Sequence, residues 1–377
     1  MVAAAPRLVA TPRWLALHLL FLGAATNAIV VYSGHFAETL LHARPAAGRW
    51  QVLQLLGLNA GVLAVLAGVA AGQHASVLAG ATLAAAVTSA SAGRLGRLAR
   101  RSLAGQLRPT VWFYVAAAGF LVLGAATGAL LGTGHAGGDR SAAYLVTLHA
   151  HVNLFGWIGL TVLGTLFMLW PAALRTRMAA GAPAAACRTL ACCGGGLLLA
   201  TAGLLARHPG YAAAGMAGYA TGIGFSLDPF TRAVRQRRPQ DAASGSLAAA
   251  TGWLLAATVW DVAALASSSA HIDTVANRLA PTLALGLVAQ VLVGALSFLL
   301  PVLLGGGPAG AKQAARLLNR AWPPRLLLTN IGILLSMPPL PTAVRGAGYA
   351  AALTGLGSFL PLAAIAVIAR PADAARG

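Results

Sequence analysis

Apolar residues run through this chain in long blocks, separated by short stretches rich in Arg, Gly and Pro. An α-helix needs about 20 apolar residues to cross a bilayer. The blocks predict eleven spans, with ten to twelve compatible with the pattern, at approximately 14–41, 51–71, 75–93, 110–132, 143–170, 188–206, 211–230, 246–268, 279–303, 326–343 and 348–369. The expected fold is therefore all-α, a polytopic transmembrane helix bundle. The intervening loops are short, so residues 1–377 read as one integral membrane domain with no soluble part. A division near 172–187 is the candidate internal boundary. The first block is too long for the core of a signal peptide, carries His18 and Asn27, and runs into Glu38 without a convincing cleavage site. It is expected to be a retained helix.

Composition agrees with the pattern. Apolar residues make up 58% and charged residues 9% of the 377 positions, which suits no ordinary soluble domain. A net charge of +19 would suggest nucleic acid, but the arginines fall in small clusters between apolar blocks. Such clusters record topology and lipid contact, so nucleic acid is excluded as a partner and the bilayer takes its place. With the N-terminus outside, the cytoplasmic loops receive Arg94, Arg97, Arg100 and Arg101, then Arg232, Arg235, Arg237 and Arg238, then Lys312, Arg316, Arg320 and Arg325. The outer side keeps Arg7, Arg13, Arg140, Arg207, Arg278 and Arg345. Inversion would violate the positive-inside bias at almost every loop, so the C-terminus is expected in the cytoplasm and the location is the cell (cytoplasmic or inner) membrane. Cys187, Cys192 and Cys193 form no C-x-x-C motif and read as small packing residues.

Ionisable residues inside spans carry the chemistry, because they are costly there. His18 lies near the outer end of the first span. His149 and His151 lie about 9–12 Å below the outer end of the fifth at the helical rise. Positions two apart on a helix are about 200° apart, so these two rings face opposite ways and cannot readily chelate one ion together. Asn153 and Gly156 share the stripe of His149, where an amide orients a ligand and a glycine leaves room for a flat macrocycle. A haem b held by histidines of the first and fifth spans is sterically reasonable, with copper as the alternative. His271 with Asp273 is either an added metal site or a solvated loop. His35, Glu38 and His42 share one face of the first helix, as a proton or metal relay or as a cluster ordering the adjoining loop. Asp261 is an acid inside the eighth span and requires a partner such as an imidazole or a metal. Gln290 and Asn330 are expected to link helices by hydrogen bonds.

The run His149-Ala150-His151-Val152-Asn153-Leu154-Phe155-Gly156-Trp157, continuing to Gly164-Thr165-Leu166 and Trp170-Pro171, resembles the histidine helix of haem-copper-oxidase-like membrane proteins, NnrS-type proteins among them. The opening stretch His18-Leu19-Leu20 through Gly23, Asn27 and His35-Phe36-Ala37-Glu38 is similar to the membrane region fused, in some actinobacterial proteins, to copper oxidases of the nitrite-reductase type. The resemblance implies haem and copper binding, with His149 and His151 offered to two haems and His18 as a ligand from an early helix. It also implies a cupredoxin or copper oxidase as partner. The chain lacks the adjacent His-His pair, and the histidine with a tyrosine one turn on, that a full oxidase places around copper. It also lacks the cupredoxin domain. A complete binuclear centre is not expected, which leaves an oxidoreductase-related role open.

Three functions follow as expectations. The first is a haem- or copper-binding protein in electron transfer or in copper and nitrogen-oxide handling. The second is a proton-coupled or metal-ion transporter using His18, Glu38 and Asp261. The third is a cofactor-free membrane partner of a copper oxidase.

Overall fold

A computed structural model describes residues 12–102, 108–267, 272–305 and 307–368. Among the described residues the chain is helical throughout its regular structure, with no strand. The helices are α1 Pro12–Leu40, α2 Gly48–Ala71, α3 His74–Arg101, α4 Arg108–Gly132, α5 Asp139–Leu174, α6 Ala182–Leu205, α7 Pro209–Gln236, α8 Ala242–Ser267 and α9 Thr274–Leu303. They continue as α10 Gly307–Leu318, α11 Trp322–Leu335, α12 Thr342–Gly357 and α13 Phe359–Ile368.

Nine helical stretches among the described residues are long and apolar enough to cross a membrane: α1 to α6, α8, α9 and the pair α12–α13 taken together. The protein is a multi-pass membrane protein. Large apolar side chains point outward along these helices, with Leu53, Leu63, Val302 and Leu360 each at least 60% exposed. That is the expected surface of a chain whose solvent is lipid. The block at 211–230 lies within α7, which at 28 residues is long enough to cross. Its Gly, Ala and Tyr content leaves it less apolar than the nine. The block at 326–343 is interrupted, because α11 stops at Leu335 before a segment holding Pro338, Pro339 and Pro341, and proline cannot continue a helix.

The chain folds as two compact units, each built from non-contiguous segments. The first comprises Met1–Met168, Met178–Phe230 and Ala257–Pro281, and the second Leu169–Arg177, Thr231–Ala256 and Thr282–Gly377. Within the first, α2 and α3 form a hairpin turned at Gly72, whose φ of 68° is costly for other residues. Their axes approach closely at Gly61, where a Cβ would lie 2.9 Å from the Gly80 carbonyl oxygen. The most enclosed helix is α5, with 83% of its most apolar window buried against 17–44% for the other candidate spans. A residue on α5 is therefore far more often met by protein than by lipid.

In the second unit, polar side chains tie the helices together. Trp253 Nε1 donates to Asn330 Oδ1 at 2.6 Å, and Gln290 Nε2 donates to the same oxygen at 3.1 Å. Asn330 Nδ2 donates back to Gln290 Oε1 at 3.3 Å. Gly286 lets the Trp253 ring lie against α9, since a Cβ there would come within 2.7 Å of Trp253 Cγ.

Candidate functional site

Two helices of the first unit bring His18 and His149 together. Their ring centres are 6.2 Å apart and their planes are inclined by 18°. Helix α1 is held against α5 by Trp157 Nε1, which donates to Thr26 Oγ1 at 3.0 Å. Both helices change winding next to the histidines. A π-helical segment runs from Leu19 to Ala25, directly after His18, and another from Val152 to Gly159, directly after His151. Such segments displace the regular ladder of hydrogen bonds and occur often at functional sites. The carbonyl of Phe155, which accepts the Leu160 N–H across the π turn, also accepts from the Tyr219 hydroxyl at 2.8 Å. Gly159 makes room for that hydroxyl, which would lie 2.6 Å from a Cβ.

The two rings are fixed in the same tautomer. His18 Nδ1 lies 2.8 Å from the Trp14 carbonyl oxygen, and His149 Nδ1 lies 3.0 Å from that of Gly124. A carbonyl oxygen only accepts, so each Nδ1 carries its proton and each Nε2 keeps its lone pair. Among the described residues no hydrogen bond reaches either Nε2. Trp14 stacks on His18 with ring centres 4.2 Å apart. Around His149, Thr127 Oγ1 lies 3.2 Å from Nδ1, and Asn153 Nδ2 donates to the His149 carbonyl at 2.8 Å. Gly128 is open toward this ring, since a Cβ there would come within 2.9 Å of His149 Cε1.

The separation of the ring centres suits a shared metal atom. An imidazole nitrogen binds a transition metal at about 2.0–2.1 Å and lies about 1.1 Å from its own ring centre, so two such rings on opposite sides of one metal have centres about 6.3 Å apart. Nδ1–H bonded to a carbonyl, with Nε2 left for the metal, is the usual arrangement of a ligating histidine. The residues that would hold a haem iron here are His18 and His149, and the haem would supply one-electron chemistry. Among the described residues no group of three or more His, Cys, Asp or Glu side chains comes together.

His151 is placed differently. Its ring is fully buried, with Nδ1 2.7 Å from the Thr147 carbonyl oxygen and Nε2 2.9 Å from Asp261 Oδ2. Both nitrogens are engaged, so this ring has no lone pair directed at a ligand. Asp261 is equally buried, and its second oxygen, Oδ1, has no hydrogen-bond partner. Thr147 adds a tie to the start of α9, donating to the Ile272 carbonyl at 3.2 Å.

Gly156 faces Phe120, whose Cγ would lie 2.6 Å from a Cβ at that position. The space it leaves is filled by this ring rather than opened to a macrocycle. His35 and His42 are exposed, whereas Glu38 is buried, accepts from the Ala46 N–H at 2.9 Å and pairs with Arg94. The three do not converge, and Glu38 orders the loop that follows α1. His271 lies outside the described residues. Cys193 is buried and donates weakly to the Tyr219 carbonyl, 3.4 Å away.

Sequence reasoning did not single out Trp14, Gly124, Thr127 or Tyr219 for these roles. Their positions relative to the histidines along the chain carry no sign of contact. Comparison with known protein families, with curated proteins and with solved structures finds no match. The resemblance to haem-copper-oxidase-like proteins therefore rests on the two histidine-bearing motifs alone.

Proposed function

We propose that this protein holds a haem b between His18 and His149 and serves in electron transfer or in copper and nitrogen-oxide handling at the cytoplasmic (inner) membrane. The observation that carries the reading is the facing pair of half-buried imidazoles, each with Nδ1 bonded to a carbonyl and Nε2 left over. A haem bound there supplies one-electron chemistry. The chain's own contribution is to orient both rings through Trp14 and Gly124 and to keep α1 on α5 through Thr26 and Trp157. Two ligands favour haem over copper, which more often takes three or four protein donors. A separately encoded cupredoxin or copper oxidase is the partner that the motif resemblance suggests.

Counting α7 and the shorter α11 with the nine apolar stretches makes eleven spans. The arginine distribution then puts the N-terminus outside, the C-terminus in the cytoplasm and the histidine pair toward the outer face. The deciding measurement is an absorption spectrum and metal analysis of detergent-purified full-length protein. A Soret band that is lost in His18→Ala and in His149→Ala supports the reading. Protein free of haem under conditions of haem-replete expression sinks it.

A second reading, proton-coupled transport, is supported by the wholly buried His151–Asp261 pair and the unpartnered Asp261 Oδ1. Intramembrane ion pairs of this kind recur along proton pathways. Substrate-dependent proton flux in proteoliposomes, abolished in Asp261→Asn, would select it.

A further inference from the structure

The stretch from Thr282 to Ala372 contains no Asp or Glu, yet Lys312, Arg316, Arg320 and Arg325 follow one another closely within it. Helix α10 is amphipathic. Ala314 and Leu318 are buried, whereas Lys312 and Arg316, one turn apart, are exposed, as is Arg320 beyond the helix end.

Arg325 is different, being half-buried and braced. Its Nε donates to Ser358 Oγ at 2.8 Å, and its Nη1 donates to the carbonyls of Leu318 at 3.0 Å and Arg320 at 3.2 Å. These bonds hold the guanidinium in the wall of a small crevice, about 20 Å³, that opens to the outside. Ser246, Gln290, Trp322, Thr329 and Leu356 line the same crevice. Gln290 is already paired with Asn330, and Thr329 donates to the Arg325 carbonyl. Besides the indole N–H of Trp322, two donors remain: Arg325 Nη2, and the hydroxyl of Ser246, a residue only 7% exposed. Neither has a hydrogen-bond partner among the described residues.

The carboxylate nearest to Ser246 in sequence, Asp241, is taken up by the N–H and hydroxyl of Ser244, so a guanidinium and a hydroxyl facing one small space call for an anion with several acceptor oxygens. The neighbouring surface of α11 is apolar and outward-facing, with Leu327 61% and Ile331 52% exposed. An anion that also brings hydrocarbon satisfies both. We propose that this crevice binds the phosphate of an anionic phospholipid. Arg325 and Ser246 donate to phosphate oxygens, Lys312, Arg316 and Arg320 supply the surrounding positive field, and the acyl chains lie along α11. Trp322 lines the crevice, and an indole suits the headgroup level. This site is independent of the histidine pair.

The test is native mass spectrometry of the full-length protein titrated with phosphatidylglycerol, phosphatidylcholine or inorganic phosphate. Phosphatidylglycerol should be retained at concentrations where phosphatidylcholine is not, and inorganic phosphate should not displace it. Arg325→Gln and Ser246→Val should each weaken retention about tenfold, the scale of one charge-assisted hydrogen bond. If Arg325→Gln does not fold, Ser246→Val decides, because it leaves every bond made by Arg325 in place. Equal retention of the zwitterionic lipid, displacement by inorganic phosphate, or unchanged binding in Ser246→Val would each overturn the proposal.

Discussion

His151 Nε2 lies 2.9 Å from Asp261 Oδ2, and both side chains are wholly buried. The other ring nitrogen, Nδ1, is committed as a donor to the Thr147 carbonyl. A proton must therefore sit between Nε2 and Oδ2, whether the pair is ionic or neutral. Helix α5 thus presents two histidines with distinct environments. One is saturated by protein, and the other keeps a nitrogen for a ligand.

Removing the carboxylate should be far more damaging than neutralising it. Asp261→Ala leaves His151 Nε2 buried without a partner and should cost about 3–5 kcal/mol, the range for breaking a buried pair. Asp261→Asn can still donate an amide N–H to a neutral Nε2, and should cost about 1–2 kcal/mol. Thermal unfolding of the detergent-solubilised variants orders the two. Equal losses would show that an amide does not replace the carboxylate at this contact.

The histidine variants should separate in their spectra. His18→Ala and His149→Ala each remove one nitrogen that would hold the haem, so a bis-histidine haem spectrum should be lost in both. His151→Ala should retain haem, because its ring nitrogens are engaged with Thr147 and Asp261. Absorption and electron paramagnetic resonance spectra read the outcome. Loss of haem in His151→Ala with retention in His18→Ala would reverse the assignment.

Gly156→Ala should destabilise the first unit without direct action on the histidine pair. The added Cβ would meet Phe120 Cβ at 2.5 Å and Leu197 Cδ2 at 3.1 Å. Overpacking of this kind costs about 1–3 kcal/mol. Full haem content in a protein of lowered unfolding temperature is the expected result.

Asn330→Leu should loosen the second unit alone. It removes the acceptor of Trp253 Nε1 and the reciprocal partner of Gln290. Each buried polar group left unsatisfied costs about 1–3 kcal/mol. Hydrogen exchange should rise across α9 and α11 while α4 and α5 stay protected. Uniform loss of protection would show that the two units unfold together.

Much of the candidate site was legible in the chain because it rests on local periodicity. The i, i+2 spacing of His149 and His151 predicts opposed faces, and the structure sends one ring to His18 and the other to Asp261. The requirement that a buried acid find a partner called for an imidazole or a metal beside Asp261, and His151 supplies the imidazole. Gly156 was harder, because a bare position looks the same whether a cofactor or a neighbouring ring fills it. Phe120 fills it. The trio His35, Glu38 and His42 shares a helical face, but the loop after α1 and Arg94 take up Glu38 alone.

The amino-acid order by itself determined that this is a helical protein of the membrane, since run length and polarity are properties of contiguous residues. It also marked which side chains are expensive to bury. Only the tertiary structure decided which of them meet. Contacts such as Trp157 with Thr26, Tyr219 with Phe155 and Ser246 beside Arg325 join residues distant in the chain. Helix packing sets them, and the π-helical turns after His18 and His151 shift the facing of the residues beyond them from what a regular period would dictate.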